Sequence, residues 1–279
     1  MADDPAAPSF IDVGGHRLAY HRSGEGPSVV LIHGIPTFSY LWRDVIPLLV
    51  QAGLGVLAID LLGYGDSDKP EGADLGIAAQ AERIATALRT LEWPRGTLVG
   101  HDIGGGIAQL ICANAPQDTE RLILIDSIAY DSFPEPGIAR LKDPAWDSIL
   151  GAPGFDLGKG LTKGFTRGMA HTDRVTPKLI AAYERPFGGV EGRLAYLRAA
   201  RALRTGELAT RMSEVEKLDI PTLIIWGAQD VFQPMQHGAR LAAAMPNARF
   251  RQLEKGGHFL PEDEPEELAR CIADFVRSN

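Results

Sequence analysis

The stretch LVGHDIGGGIAQL, residues 98–110, joins an apolar run that stops at Gly100 to a helix-like pattern that starts beyond Gly104. Asp102 stands between them, at the sharpest point of a strand-to-helix turn. Burying a charge there is expensive unless something uses it. Gly100-His101-Asp102-Ile103-Gly104 has the spacing of a strained turn that presents a central nucleophile at the head of a helix. The two flanking glycines remove side chains that would clash in such a turn, and the helix N-terminus offsets the cost of a negative charge nearby. A carboxylate held this way can attack carbon and form an ester. The competing reading is a plain N-cap aspartate. Gly104-Gly105-Gly106 fits close packing of a helix on a sheet, since the Lys-Ser/Thr pair of a phosphate loop is missing.

Outward from this turn the chain alternates strand and helix. SFIDVGGHRLAYHRSGEG reads as a hairpin about Gly14-Gly15. SVVLIH (28–33), GVLAID (55–60), TLVG (97–100), RLILID (121–126), TLIIWG (222–227) and ARFRQLE (248–254) follow as short runs. Most are apolar throughout, as strands covered on both faces must be. LWRDVIPLLVQAG, IAAQAERIATALRTLEW, GGIAQLICANAP and PEELARCIADFVRS carry helical patterns between them. The expectation is an α/β fold with a mostly parallel eight-stranded sheet and helices on both faces. Residues 130–215 break the rhythm with pieces such as TPKLIAAYE and VEGRLAYLRAARALRT. A structureless connection of that length would be abnormal, which predicts an inserted helical cap over 130–215 between core segments 1–129 and 216–279.

The 279 residues are 45% hydrophobic and 23% charged, with a net charge of -8, enough for one large core plus an inserted subdomain. An acidic chain without clustered Lys and Arg does not suit nucleic acid or an anionic membrane. MADDPAAPSF lacks a basic segment followed by an apolar one, and no run reaches the roughly 20 apolar residues of a membrane span. A cytoplasmic location is expected. Cys112 and Cys271 read as buried small hydrophobes. The seven histidines form no H-E-x-x-H cluster, so neither a metal nor a cofactor is expected.

Downstream, IIWGAQDVFQP puts Asp230 just beyond an apolar strand, and LEKGGHFLPEDEPEEL puts His258 in a loop before the last helix. Nucleophile, acid, histidine is the chain order of an α/β-hydrolase triad, here Asp102, Asp230 and His258. Asp126, after the sixth strand, is the alternative acid. In VLIHGIPTFSYLWRDVIP the backbone N–H of Ile35, with that of Ile103, is placed to form an oxyanion hole. His33 reads as an orienting partner of this loop, with a direct role as the competing reading.

These blocks, together with AIDLLGYGDSDKP, GHDIGG and WGAQD, resemble the α/β-hydrolase superfamily, in particular its Asp-nucleophile branch of epoxide hydrolases and haloalkane dehalogenases. The resemblance implies a small, largely apolar electrophilic substrate with water as co-substrate, and a monomer or homodimer. Haloalkane dehalogenases carry Trp after the nucleophile and Asn or Glu after the His-Gly, whereas Ile103 and Ile35 stand here and neither side chain donates. Fluoroacetate-type enzymes carry Arg where Ile103 and Gly106 stand. Epoxide hydrolases use cap tyrosines, for which Tyr183 and Tyr196 are the candidates, with Tyr130 as a third pocket residue and Trp146 as the alternative halide donor. Epoxide opening to a vicinal diol is therefore the expected reaction, dehalogenation the runner-up, and a catalytically inactive ligand-binding member the non-enzymatic alternative.

Overall fold

The computed structural model describes residues 7–278. Gly14 and Gly15, with φ of +63° and +81°, turn the chain back on itself, so that β1 (Ser9–Val13) pairs antiparallel with β2 (His16–Ser23). The strands β3 (Ser28–Ile32), β4 (Gly55–Ile59), β5 (Gly96–His101), β6 (Thr119–Ile125), β7 (Thr222–Gly227) and β8 (Ala248–Leu253) complete one eight-stranded sheet in the order β1-β2-β4-β3-β5-β6-β7-β8. From β4 to β8 every neighbouring pair is parallel. The side-chain period of two divides each strand between two cores: Val30 and Ile32 of β3 face one, Val29 and Leu31 the other.

Helices fill both faces. α1 (Ile46–Gln51) lies on one side, while α2 (Ile77–Thr90) and α3 (Ile103–Asn114) lie on the other. The run LWRDVIPLLVQAG, read as one helix, is instead a 3-10 turn at Ser39–Trp42 followed by α1. Pro47 has no N–H to continue a helix but suits a first turn, so the helix starts afresh there.

Between β6 and β7 the chain builds the inserted cap from α4 (Pro136–Ala139), α5 (Ala145–Gly151), α6 (Leu157–Gly168), α7 (Pro177–Glu184), α8 (Gly189–Arg201), α9 (Gly206–Ala209) and α10 (Met212–Val215). Local chemistry sets the starts of α6 and α7: Asp156 accepts the Lys159 N–H at 3.0 Å and Thr176 the Leu179 N–H at 3.2 Å, satisfying donors a helix start leaves open. After β7 come α11 (Met235–Ala244), α12 (Leu260–Asp263) and α13 (Pro265–Arg277), the last beside α1. Cys112 and Cys271 are free, buried and on opposite sides of the sheet. No described helix is long and apolar enough to cross a membrane.

Candidate active site

β5 delivers its last residue directly into the turn, where Asp102 takes φ +52° and ψ -121°, a costly conformation for a side-chain-bearing residue. The flanking glycines are what allow it. A Cβ at Gly100 would stand 2.3 Å from the Gly104 carbonyl oxygen, and one at Gly104 would stand 2.3 Å from that of Ile32. Asp102 occupies the N-cap position of α3 but makes no side-chain capping bond there. Its Oδ2 instead accepts the Ile35 N–H at 3.0 Å. Burial pushes its pKa up to about 6, against the pull of His258 and of the Ile103 and Ile35 amides.

His258 arrives from the loop after β8. Its Nδ1 is 3.0 Å from Oδ2 of Asp230, which β7 projects from its far end. The other oxygen of Asp230 accepts the N–H groups of Phe232 at 2.7 Å and Gln233 at 2.9 Å, so the carboxylate is held from both sides. Burial alone would lower the pKa of His258, but Asp230 and then Asp102 outweigh it and the net shift is upward. The main chain of His258 is fixed as well: its N–H donates to the Gly168 carbonyl of the cap at 2.7 Å, and its own carbonyl lies 2.8 Å from Nε2 of His101. Asp126 accepts the Gly227 N–H at 2.8 Å. Burial, and then the neighbouring Asp230, drive its carboxyl well above the usual carboxylate range. Asp230, not Asp126, contacts the imidazole.

Above Asp102 and His258 lies a cavity of about 330 Å³, closed by cap residues that include Leu141, Trp146, Leu161, Phe165 and Tyr196. Its walls are predominantly apolar, as ligand sites generally are. Ile35 and Ile103 reach its floor, as does the side chain of Asp102. Tyr196 packs its ring against Phe187 at 5.4 Å, and burial raises its hydroxyl to about 12. Trp146 lines the same space with the guanidinium of Arg140 5.5 Å from its ring centroid.

Three residues singled out from the sequence are not part of this lining. Tyr183 is fully buried behind the cavity and donates its hydroxyl to Glu262, which Arg43 grips through two 2.6 Å bonds. An ion pair contributed by two distant core segments claims the hydroxyl, so the pairing of Tyr183 with Tyr196 is not what the structure brings together. Tyr130 hydrogen-bonds Glu216 at 2.8 Å beneath the guanidinium of Arg240. His33 lies 2.9 Å from the Gly34 carbonyl through Nδ1 and accepts the Leu61 N–H at 3.0 Å through Nε2. Both ring nitrogens are thus spent on tying two loops together, and burial lowers its pKa. Conversely, Gln233 lines the cavity at 2% exposure with its carboxamide oxygen unpartnered among the described residues. Only its position three residues after Asp230 could have drawn attention to it.

Residues 27–265 match the sequence model of the alpha/beta hydrolase fold family. An uncharacterized protein of Mycobacterium tuberculosis is 31% identical over 98% of this chain and 82% of its own. Among solved structures, the epoxide hydrolase CorEH, determined without ligand, superposes with a TM-score of 0.81 at 26% identity, covering 96% of this chain and 97% of its own. The haloalkane dehalogenase DbeA of Bradyrhizobium elkani superposes with a TM-score of 0.76 at 25% identity over 97% of each chain.

Proposed function

Because this chain belongs to the alpha/beta hydrolase fold family, we propose that it opens a small, largely apolar epoxide to a vicinal diol through an ester on Asp102. One observation carries the reading. A carboxylate, held by a backbone amide instead of capping its helix, shares the floor of an apolar cavity with a carboxylate-bound histidine, and Tyr196 lines the cap side.

In the first half-reaction an Asp102 oxygen attacks a ring carbon. The carbon–oxygen bond of the ring breaks and its electron pair leaves on oxygen. Tyr196 protonates that alkoxide and is left as the phenolate, while the Gln233 carboxamide offers a second polar contact. In the second, His258 removes a proton from water as the water oxygen adds to the ester carbonyl carbon. The resulting oxyanion faces the N–H groups of Ile35 and Ile103. Collapse expels the diol oxygen, which takes the proton from His258, and leaves Asp102 as the carboxylic acid; its proton passes through water to the Tyr196 phenolate, which restores both the carboxylate and the hydroxyl. Asp230 keeps the Nδ1–H tautomer and stabilises the imidazolium between these events.

Trp146 favours a second reading, release of halide from a haloalkane, since its indole lines the same cavity. Intact-protein mass spectrometry of H258Q separates the two. With an epoxide, the trapped ester on Asp102 adds the whole substrate mass; with a haloalkane, it adds that mass less hydrogen halide. Unmodified H258Q with substrates that the wild-type protein turns over would sink the ester mechanism.

A further inference from the structure

The charged groups on the cavity wall do not cancel. His258 is paired with Asp230, Asp102 is held by the Ile35 amide at the floor, and Arg167 and Glu135 form a pair 3.0 Å apart toward solvent. That leaves Arg140, just after α4, and Lys163 on α6. Both line the cavity, both are exposed, and among the described residues neither meets a carboxylate. In a chain of net charge -8, two exposed cations without an ion-pair partner among the described residues therefore line an apolar cavity. Arg140 is also partly preorganised, because its guanidinium lies over Trp146, which restrains the fork without occupying its donors. Its charge is felt by the Tyr196 hydroxyl farther in, so it acts on the interior of the site and not only on bulk solvent.

We infer that the cavity takes an amphipathic substrate whose apolar body fills the cap-lined space and whose terminal carboxylate is held at the mouth by Arg140 and Lys163. The physical logic is that a planar guanidinium matches a carboxylate through two parallel hydrogen bonds. An acidic protein with an anionic nucleophile would otherwise repel such a molecule, and local cations at the mouth reverse that field where it matters. The inference rests on the proposed reaction only for what happens at the far end of the substrate. Anchoring one end at the mouth fixes how far a reacting carbon must lie from the carboxylate.

The test uses terminal-epoxide alkanoic acids of graded chain length, each beside its primary amide, and separately the unreactive pair octanoate and octanamide. Carboxylates are expected to exceed amides in kcat/KM by about tenfold at one favoured chain length in low salt. The ratio should shrink in 0.5 M salt, and R140Q and K163Q should each lower it, with R140K closer to wild type than R140Q. Octanoate should raise the melting temperature more than octanamide, and R140Q should remove the difference. Equal stabilisation by octanoate and octanamide overturns the inference whatever the reaction proves to be. Selective stabilisation by octanoate, lost in R140Q, upholds it even if no epoxide is opened, in which case the proposed reaction alone fails.

Discussion

Asp102 works under a burden that its own burial creates. With its pKa raised to about 6 from an ordinary 3.8, the carboxylate loses its proton only as the pH climbs past about 6, so kcat/KM should fall with decreasing pH through that value in a pH–rate profile. The same shift bears on stability. Between about 3.8 and about 6 the folded state binds the proton more tightly than the unfolded chain, so stability declines as pH rises across that window and the deficit is complete above it. Asp102→Asn should therefore raise stability at pH 7.5 by about 1–3 kcal/mol in urea unfolding, while abolishing turnover. An unchanged or lowered midpoint would contradict this account of the charge. That Asp102, Asp230 and His258 would gather at one end of the sheet was legible in the sequence because each follows a strand and their order is a chain property. The place of Tyr183 outside the cavity lining was not legible, because its partner, Glu262, lies 79 residues away, and no local pattern announces such an ion pair.

The elbow between β5 and α3 is the element on which the site depends, and it is tight on both sides. Adding a methyl group at Gly104 sets it against the end of β3, 2.3 Å from the Ile32 oxygen and 2.5 Å from that of His33. G104A should cost about 1–3 kcal/mol, read as a lower melting temperature, and should depress kcat more than stability because the backbone that gives must carry Asp102 with it. Full activity at wild-type stability would mean that the turn has slack the structure does not show. Strands and long helices were readable because burial on one or two faces imposes a period on the residues themselves. The four-residue helices α4, α9 and α10 were not, since a single turn is too short to display a period and takes its shape from what it packs against. The Pro47 break shows the opposite case, where one residue overrides an otherwise continuous pattern.

Across the whole molecule, one carboxylate gathers several of the bonds that join cap to core. Asp263 of α12 accepts the N–H groups of Ala170 at 2.9 Å and His171 at 3.0 Å from the cap, and that of Gly257, beside His258, at 2.8 Å. Asp263→Ala leaves three donors without an acceptor and should destabilise the protein by about 3 kcal/mol or more in calorimetry, with turnover reduced beyond what the unfolded fraction explains. Wild-type kinetics in the folded fraction would show that the joint is structural only. An inserted helical cap was foreseeable but not its arrangement, because the positions of its helices are set by such joints and not by their own sequences.

The 2.7 Å bond from the His258 amide to the Gly168 carbonyl makes the cap and the base mechanically one device. A displacement of α6 that broke this bond would remove one of the restraints on the segment that carries the imidazole, so the seat of the cap and the aim of the base share a fastening. The deuterium uptake of that one amide reads how often the fastening lets go.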